Sequence, residues 1–256
     1  MLIVISPAKT LKTDVRALTN STFPLMLKYS ALLVNELKKY SSGELSELMK
    51  ISPKLAQLNH SRFQQWHYPY KLEEGNNALL TFRGEVYNGL EVDSFSQENL
   101  NYAQKHLIIL SGLYGVLRPL DVILPYRLEM GTKISPAGYK NLYEFWSDKI
   151  LNVLNNKLAE SDTNILINLA SQEYFKSIET KKLNAEIITP VFKENKNGVY
   201  KVVSIYAKKA RGLMTRFIIK NKINNPEKLM LFDEEGYYYN EKLSDKKKGN
   251  IVFTRN

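Results

Sequence analysis

The segment from Leu107 to Gly131, LIILSGLYGVLRPLDVILPYRLEMG, most restricts what this chain can become. Its first four residues are apolar and read as a buried strand. Ser111-Gly112 ends that strand, and Gly115 gives the backbone a second point of freedom. Arg118-Pro119-Leu120-Asp121 reads as a rigid turn, because proline fixes its own φ and restrains the residue before it. Arg127 and Glu129 stand two residues apart and share one face if the backbone is extended. A connection this apolar is no solvated linker, and it is expected to form the floor of a site.

The rest of the chain supplies alternating strands and helices. Leu2 to Ile5 reads as a first strand, with Ser6 to Lys9 as the loop at its end. Pro24 to Tyr40 has helical spacing, with Leu25, Leu32, Leu33 and Leu37 expected in the core. Leu79 to Phe82 reads as a short strand, Ser94 to His106 and Asn141 to Leu158 as helices, and Asn164 to Leu169 as a buried strand. Ser171 is an expected N-cap directly after that strand. Asn197-Gly198 signals a hairpin between Glu186–Phe192 and Val199–Tyr206. A helix is expected from Ala207 to Ile223, and short strands at Gly236–Tyr239 and Asn250–Phe253. This order predicts a mixed α/β or α+β fold with a central mixed sheet among helices. At 256 residues, with no linker or repeat, a single domain over 1–256 is expected.

Composition narrows the chemistry. The chain has no cysteine, which removes disulfides, thiolate metal sites and thiol-based peroxide reduction. His60, His67 and His106 lack metal-ligand spacing, and neither a Walker A loop nor a Gly-x-Gly-x-x-Gly fingerprint is present, so no metal or cofactor is expected. No apolar run approaches membrane-spanning length, and the first residues do not read as a signal peptide, so a cytoplasmic chain without a membrane partner is expected. The formal net charge is +10. Between Asn195 and Pro226 lie eight basic residues and no acidic one, a pattern that draws polyanions or forms a solvated basic face. At 100° per residue, Lys209, Arg216 and Lys220 form a ridge beside an apolar arc, and Arg211 falls near the core.

Ser41 to Glu44 reads as a capping box opening a short helix to Lys50, followed by a further helix to about Gln65. The connection, Met49 to Ala56, resembles a helix-hairpin-helix, hydrophobic-Gly-x-Gly-x-x-x-Ala. Ile51, Pro53, Lys54 and Ala56 fit it, while Lys50 and Ser52 replace its two glycines. Lys50 lacks glycine's freedom, whereas Ser52 can cap the second helix. An ordinary helical hairpin fits the same residues.

Several blocks resemble the bacterial YaaA family, the peroxide-stress proteins. They are Ile5–Thr10, Phe82–Leu90, Leu110–Asp121, Pro125–Met130, Ile167–Lys176 and Tyr206–Phe217, in the expected order. The resemblance implies a role in peroxide stress. Two readings follow. One is a protein that binds duplex DNA with little sequence preference, holding phosphates through Lys50, Ser52, Lys54, Lys208, Lys209, Arg216 and Lys220. The other is an enzyme for a nucleotide-like or other anionic small molecule, with strand-end groups Ser6, Lys9, Arg127, Glu129, Asn168, Ser171, Glu173, Lys208 and Arg211. Arg127–Glu129 and Arg211–Glu173 equally suit structural ion pairs. Ser6 and Lys9 have the Ser-x-x-Lys spacing of penicillin-recognising enzymes, but the companion motifs of that mechanism are absent.

Overall fold

Four consecutive apolar residues, Leu2–Ile5, form strand β1, and all four are buried. Strands apolar on both faces belong inside a parallel sheet covered on both sides. The computed structural model describes residues 1–12, 18, 20–161 and 163–256, and in it β1 runs parallel to two neighbours. On one side lies β2 (Leu107–Ser111), with Ile3 opposite Leu107 and Ile5 opposite Ile109. β2 folds back antiparallel onto β3 (Gly115–Leu117). On the other side lies β4 (Ile165–Leu169), with Ile5 opposite Leu169.

Beyond β4 the sheet continues with β5 (Glu186–Lys196), which pairs antiparallel with β6 (Val199–Lys201). The hairpin tip uses positive φ at Asn197 and Gly198, as Asn-Gly turns require. β7 (Tyr238–Tyr239) and β8 (Asn250–Arg255) complete an eight-stranded mixed sheet. Its order is β7-β8-β5-β4-β1-β2-β3, with β6 paired to β5 off that line. After β1 the chain builds outward through β2 and β3, then returns to place β4 on the opposite side. The order therefore reverses between β1 and β4, and open α/β sheets keep their ligand crevice beyond the strand ends at such a point.

The helices are α1 (Leu27–Leu37), α2 (Ser42–Met49), α3 (Pro53–Gln65), α4 (Ala78–Thr81), α5 (Glu85–Leu90), α6 (Gln97–His106), α7 (Leu142–Ala159), α8 (Gln172–Phe175) and α9 (Ser204–Lys220). α1 is shorter than its sequence pattern. Its buried stripe is Leu27, Ser30, Leu33, Val34 and Leu37, which leaves Leu32 on the outer face, while Leu25 precedes the helix. Both are exposed. The predicted strand Leu79–Phe82 is instead the turn α4 followed by Phe82–Arg83, which pairs with Thr10–Leu11. The Ala78 and Leu79 N–H groups donate to the Asp121 and Pro119 carbonyls, so the Arg118–Asp121 turn decides the local conformation. α9 begins at Ser204 rather than Ala207 and ends at Lys220.

The Ser41 capping box forms as its spacing implies. Lys50 takes the left-handed conformation at φ 52°, and Ser52 caps α3 by accepting from the Leu55 N–H at 3.4 Å. Leu45, Met49, Ala56 and Phe63 are the apolar residues these two helices bury. Most of the segment Leu107–Gly131 is core, and only Glu129 of it reaches the cleft described below. Arg118 and Asp121 close on one another at 2.7 Å, Asp121 is fully buried, and it also accepts from the Thr22 hydroxyl.

α5 and α9 cross with almost no space between their backbones. A Cβ on Gly212 would lie 1.9 Å from the Val86 carbonyl oxygen, and one on Gly89 would lie 2.2 Å from that of Lys209. Only glycine at both positions permits this approach.

Candidate functional site

The loops leaving β1 and β4 emerge side by side because Ile5 and Leu169 are paired. They join at Ser6 and Ser171. The Ser6 hydroxyl donates to Ser171 Oγ at 3.2 Å and accepts from the Ser171 N–H at 2.8 Å. Ser171 stands at the N-cap position of α8, but its side chain makes no capping hydrogen bond and faces Ser6 instead. Tyr87 on α5 donates its phenol to the Ser6 carbonyl at 3.1 Å. Burial, with Tyr126 and Tyr174 nearby, pushes the Tyr87 pKa well above that of a free phenol. Tyr87 therefore remains a donor near neutral pH and fixes the Ser6 backbone.

Around these serines opens a cleft of about 510 Å³, within the range of small-molecule sites. Its walls come from the loop after β1, the Arg83–Tyr87 segment, Glu129, the start of α8 and the α9 residues Lys208 and Arg211. The carboxylates there are already occupied. Glu129 is bridged by Lys9 at 2.8 Å and by Arg127 at 3.0 Å. Glu173 accepts from the Gly131 N–H at 2.9 Å, and Glu85 accepts from Asn88 at 3.1 Å.

The cations are less evenly served. Arg83 turns one guanidinium nitrogen to the carbonyls of Leu80 and Phe82. Lys208 and Arg211 have no carboxylate partner among the described residues. Burial lowers the Arg211 pKa from its ordinary value, with nothing opposing that shift. Its charge is thus partly desolvated and has no carboxylate partner among the described residues, an arrangement that an arriving anion would favour.

Of the strand-end residues expected here, Ser6, Lys9, Glu129, Ser171, Glu173, Lys208 and Arg211 all line the cleft. Arg127 stands behind it, holding Glu129, and its Nε is buried without an acceptor among the described residues. Asn168 takes another part: its Oδ1 accepts from the Ala170 N–H and its Nδ2 reaches Thr189, so it shapes the end of β4. The Arg211–Glu173 ion pair does not form, whereas Arg127–Glu129 does. Ser6 and Lys9 do not meet as nucleophile and base, because Lys9 is spent on Glu129. Sequence reasoning missed Arg83, Glu85 and Tyr87 as lining residues. Only Gly84, at φ 143°, hinted that the backbone there turns sharply.

The basic ridge on α9 divides in two. Lys209 pairs with Glu235 at 2.5 Å, and Arg216 is clamped between Glu91 and Glu234. Lys220 is exposed and makes no ion pair among the described residues, and the same holds for Lys50 at the end of α2 and Lys54 at the start of α3. Ser52, also expected to hold phosphate, spends its side-chain oxygen on capping α3.

Among the described residues, no group of three or more His, Cys, Asp and Glu side chains could hold a metal ion, and no helix is long and apolar enough to cross a membrane. Residues 1–243 match the family model described as peroxide stress protein YaaA. That match, spanning nearly the whole chain, fits a role in the oxidative stress response, and the chain belongs to the YaaA family of peroxide stress proteins.

Proposed function

We propose that the cleft beyond β1 and β4 binds a small anionic molecule of nucleotide-like size, and that the chain serves the oxidative stress response through this site. The observation that carries the reading is Arg211: a partly buried guanidinium on the cleft wall with no carboxylate partner among the described residues, beside Glu129, which Lys9 and Arg127 already hold. An arginine fork matches phosphate or carboxylate with two parallel hydrogen bonds. Lys208 adds a second positive charge, and the Ser6 and Ser171 hydroxyls offer neutral hydrogen bonds. Ser6 meets another serine rather than a histidine or a free lysine, so the arrangement favours binding and orientation over an activated nucleophile. Calorimetric titration with inorganic phosphate and with nucleoside monophosphates tests this. The native chain should bind at least one of them, and Arg211→Gln should lose that binding while melting normally. Equal binding by the variant ends the proposal.

Binding to duplex DNA is a second reading, compatible with the first if the cleft accepts a DNA end or an extruded base. Its support is the helical hairpin, where Lys50 takes the left-handed turn position and Lys54 opens α3 with no acidic partner. With Lys209 and Arg216 held by carboxylates, the cations left for phosphate are Lys50, Lys54, Lys208 and Lys220. About four neutralised phosphates give a slope of log K against log salt of roughly −3 to −4, with little dependence on sequence. Titrating unrelated duplexes at several salt concentrations measures both, and a flat salt dependence excludes this mode.

A further inference from the structure

A second cavity of about 430 Å³ lies against the C-terminal part of α3. Its apolar walls are Leu58, Trp66, Leu124 and Pro125, and its polar groups are Arg62, Gln65, His67 and Glu74. The carboxylate and the guanidinium share this groove without meeting. Glu74 accepts from His67 at 2.9 Å and from the Lys71 N–H at 2.5 Å. Arg62 is half-buried and has no hydrogen-bond or ion-pair partner for its guanidinium among the described residues. Its burial also lowers its pKa from the ordinary value, with no carboxylate opposing the shift.

The anchoring of the walls makes this a formed groove. Trp66 is almost fully buried and donates its indole N–H to the Tyr114 phenol at 3.0 Å. Tyr114 accepts in turn from the Leu124 N–H at 3.1 Å. One wall is thus tied to the core at both Trp66 and Leu124. Leu58, Arg62 and Gln65 follow one another at helical spacing along α3, so a charge stands beside exposed apolar surface on a single rigid helix.

A groove with apolar walls, a polar rim and one guanidinium that meets no carboxylate suits a molecule with an apolar body and one anionic end. We infer that this groove is a second ligand site, separate from the cleft, for a small amphipathic carboxylate whose ring or chain lies between Leu58 and Leu124 while its carboxylate caps Arg62. The apolar area supplies the attraction, and the arginine fork sets the orientation. The cleft residues take no part, so the inference does not depend on what the cleft binds.

The test is a ¹H–¹⁵N NMR titration of the full chain with 1-naphthoate, and with its neutral isostere 1-naphthamide, following the Trp66 indole resonance. The expected result is a saturable shift with naphthoate, at least tenfold weaker binding of the amide, and at least a tenfold loss for naphthoate in Arg62→Gln. Arg62→Lys, which keeps the charge but not the fork, should fall between. Arg211→Gln should bind naphthoate as the native chain does, which keeps this outcome distinct from the fate of the cleft proposal. The Arg62 guanidinium holds nothing in place, so the glutamine variant should retain the native melting temperature. Any one of four results overturns the inference: no shift at millimolar naphthoate, equal affinity for the amide, unchanged affinity in Arg62→Gln, or shifts that map to the cleft. An acidic peptide that binds here while naphthoate does not would likewise overturn the small-molecule assignment.

Discussion

Two faces of α9 carry the same residue types to opposite ends. On the face toward the cleft, Lys208 and Arg211 stand without carboxylate partners among the described residues, and burial lowers the Arg211 pKa. On the other, Lys209 and Arg216 are met by Glu235, Glu234 and Glu91. Arg216 shows the converse pKa behaviour: burial alone would lower its pKa, but hydrogen bonds and charge from Glu234 and Glu91 raise it overall. Compensated charge fastens the helix to the molecule, while uncompensated charge is stored binding capacity. Basic residues on one helix cannot be sorted by counting them. The deciding quantity is the location of the nearest carboxylate.

The strongest way to break this comparison is to unseat the helix that both faces share. Gly212→Ala forces a Cβ against the Val86 carbonyl, and overpacking against backbone should cost about 3 kcal/mol or more. Thermal unfolding should show a large drop in melting temperature, with anion binding and the Arg216 clamp weakened together. Arg211→Gln separates the faces. Affinity for a phosphate-bearing cleft ligand should fall about 10- to 100-fold, corresponding to roughly 1.4–2.8 kcal/mol. Its stability should hold or rise slightly, since a desolvated cation is removed; calorimetry and denaturant titration check the two halves. Arg216→Gln should do the reverse, costing about 1–2 kcal/mol of stability through two lost charge-assisted hydrogen bonds and leaving ligand affinity within error. Lys209→Gln, which breaks a half-exposed pair, should cost no more than about 1 kcal/mol by denaturant titration. If Arg216→Gln weakened the ligand as much as Arg211→Gln, the division between faces would collapse.

The sheet and the rim of the cleft were legible because both follow from local signals. β1, β2 and β4 are short apolar runs ended by Ser-containing loops, and a strand-end loop in an α/β sheet is where ligand groups collect. That reasoning grouped Ser6, Lys9, Arg127, Glu129, Asn168, Ser171, Glu173, Lys208 and Arg211; Arg127 and Asn168 do not line the cleft, and Lys208 and Arg211 reach it from helix α9 rather than from a strand end. The unmatched charges were harder to read. The stretch Asn195 to Pro226 contains no acid, yet Lys209, Arg216 and Lys222 find partners at Glu235, Glu234, Glu91 and Glu98. Those acids come from distant parts of the chain, so a sliding window along the sequence cannot pair them. The apolar stretch after β2 contributes Glu129 to the cleft but little else, for a related reason. Its hydrophobic residues meet the core, and Asp121 is consumed by Arg118 and Thr22, contacts that depend on a turn folding back on itself.

The Gly89–Gly212 crossing also limits how this protein can adapt to a new ligand. Most cleft walls move when a neighbouring side chain is exchanged for a larger or smaller one, and selection adjusts pocket width in those steps. Here α9, which bears Lys208 and Arg211, crosses α5, which bears Tyr87, with backbone against backbone at Gly89 and Gly212. At that crossing there is no side chain to trim and no room to enlarge one, so the spacing of the two helices is held there through sequence drift. Changes in ligand size must be absorbed on the facing rim, where Lys9, Glu129 and Glu173 are reached through loops rather than crossed helices.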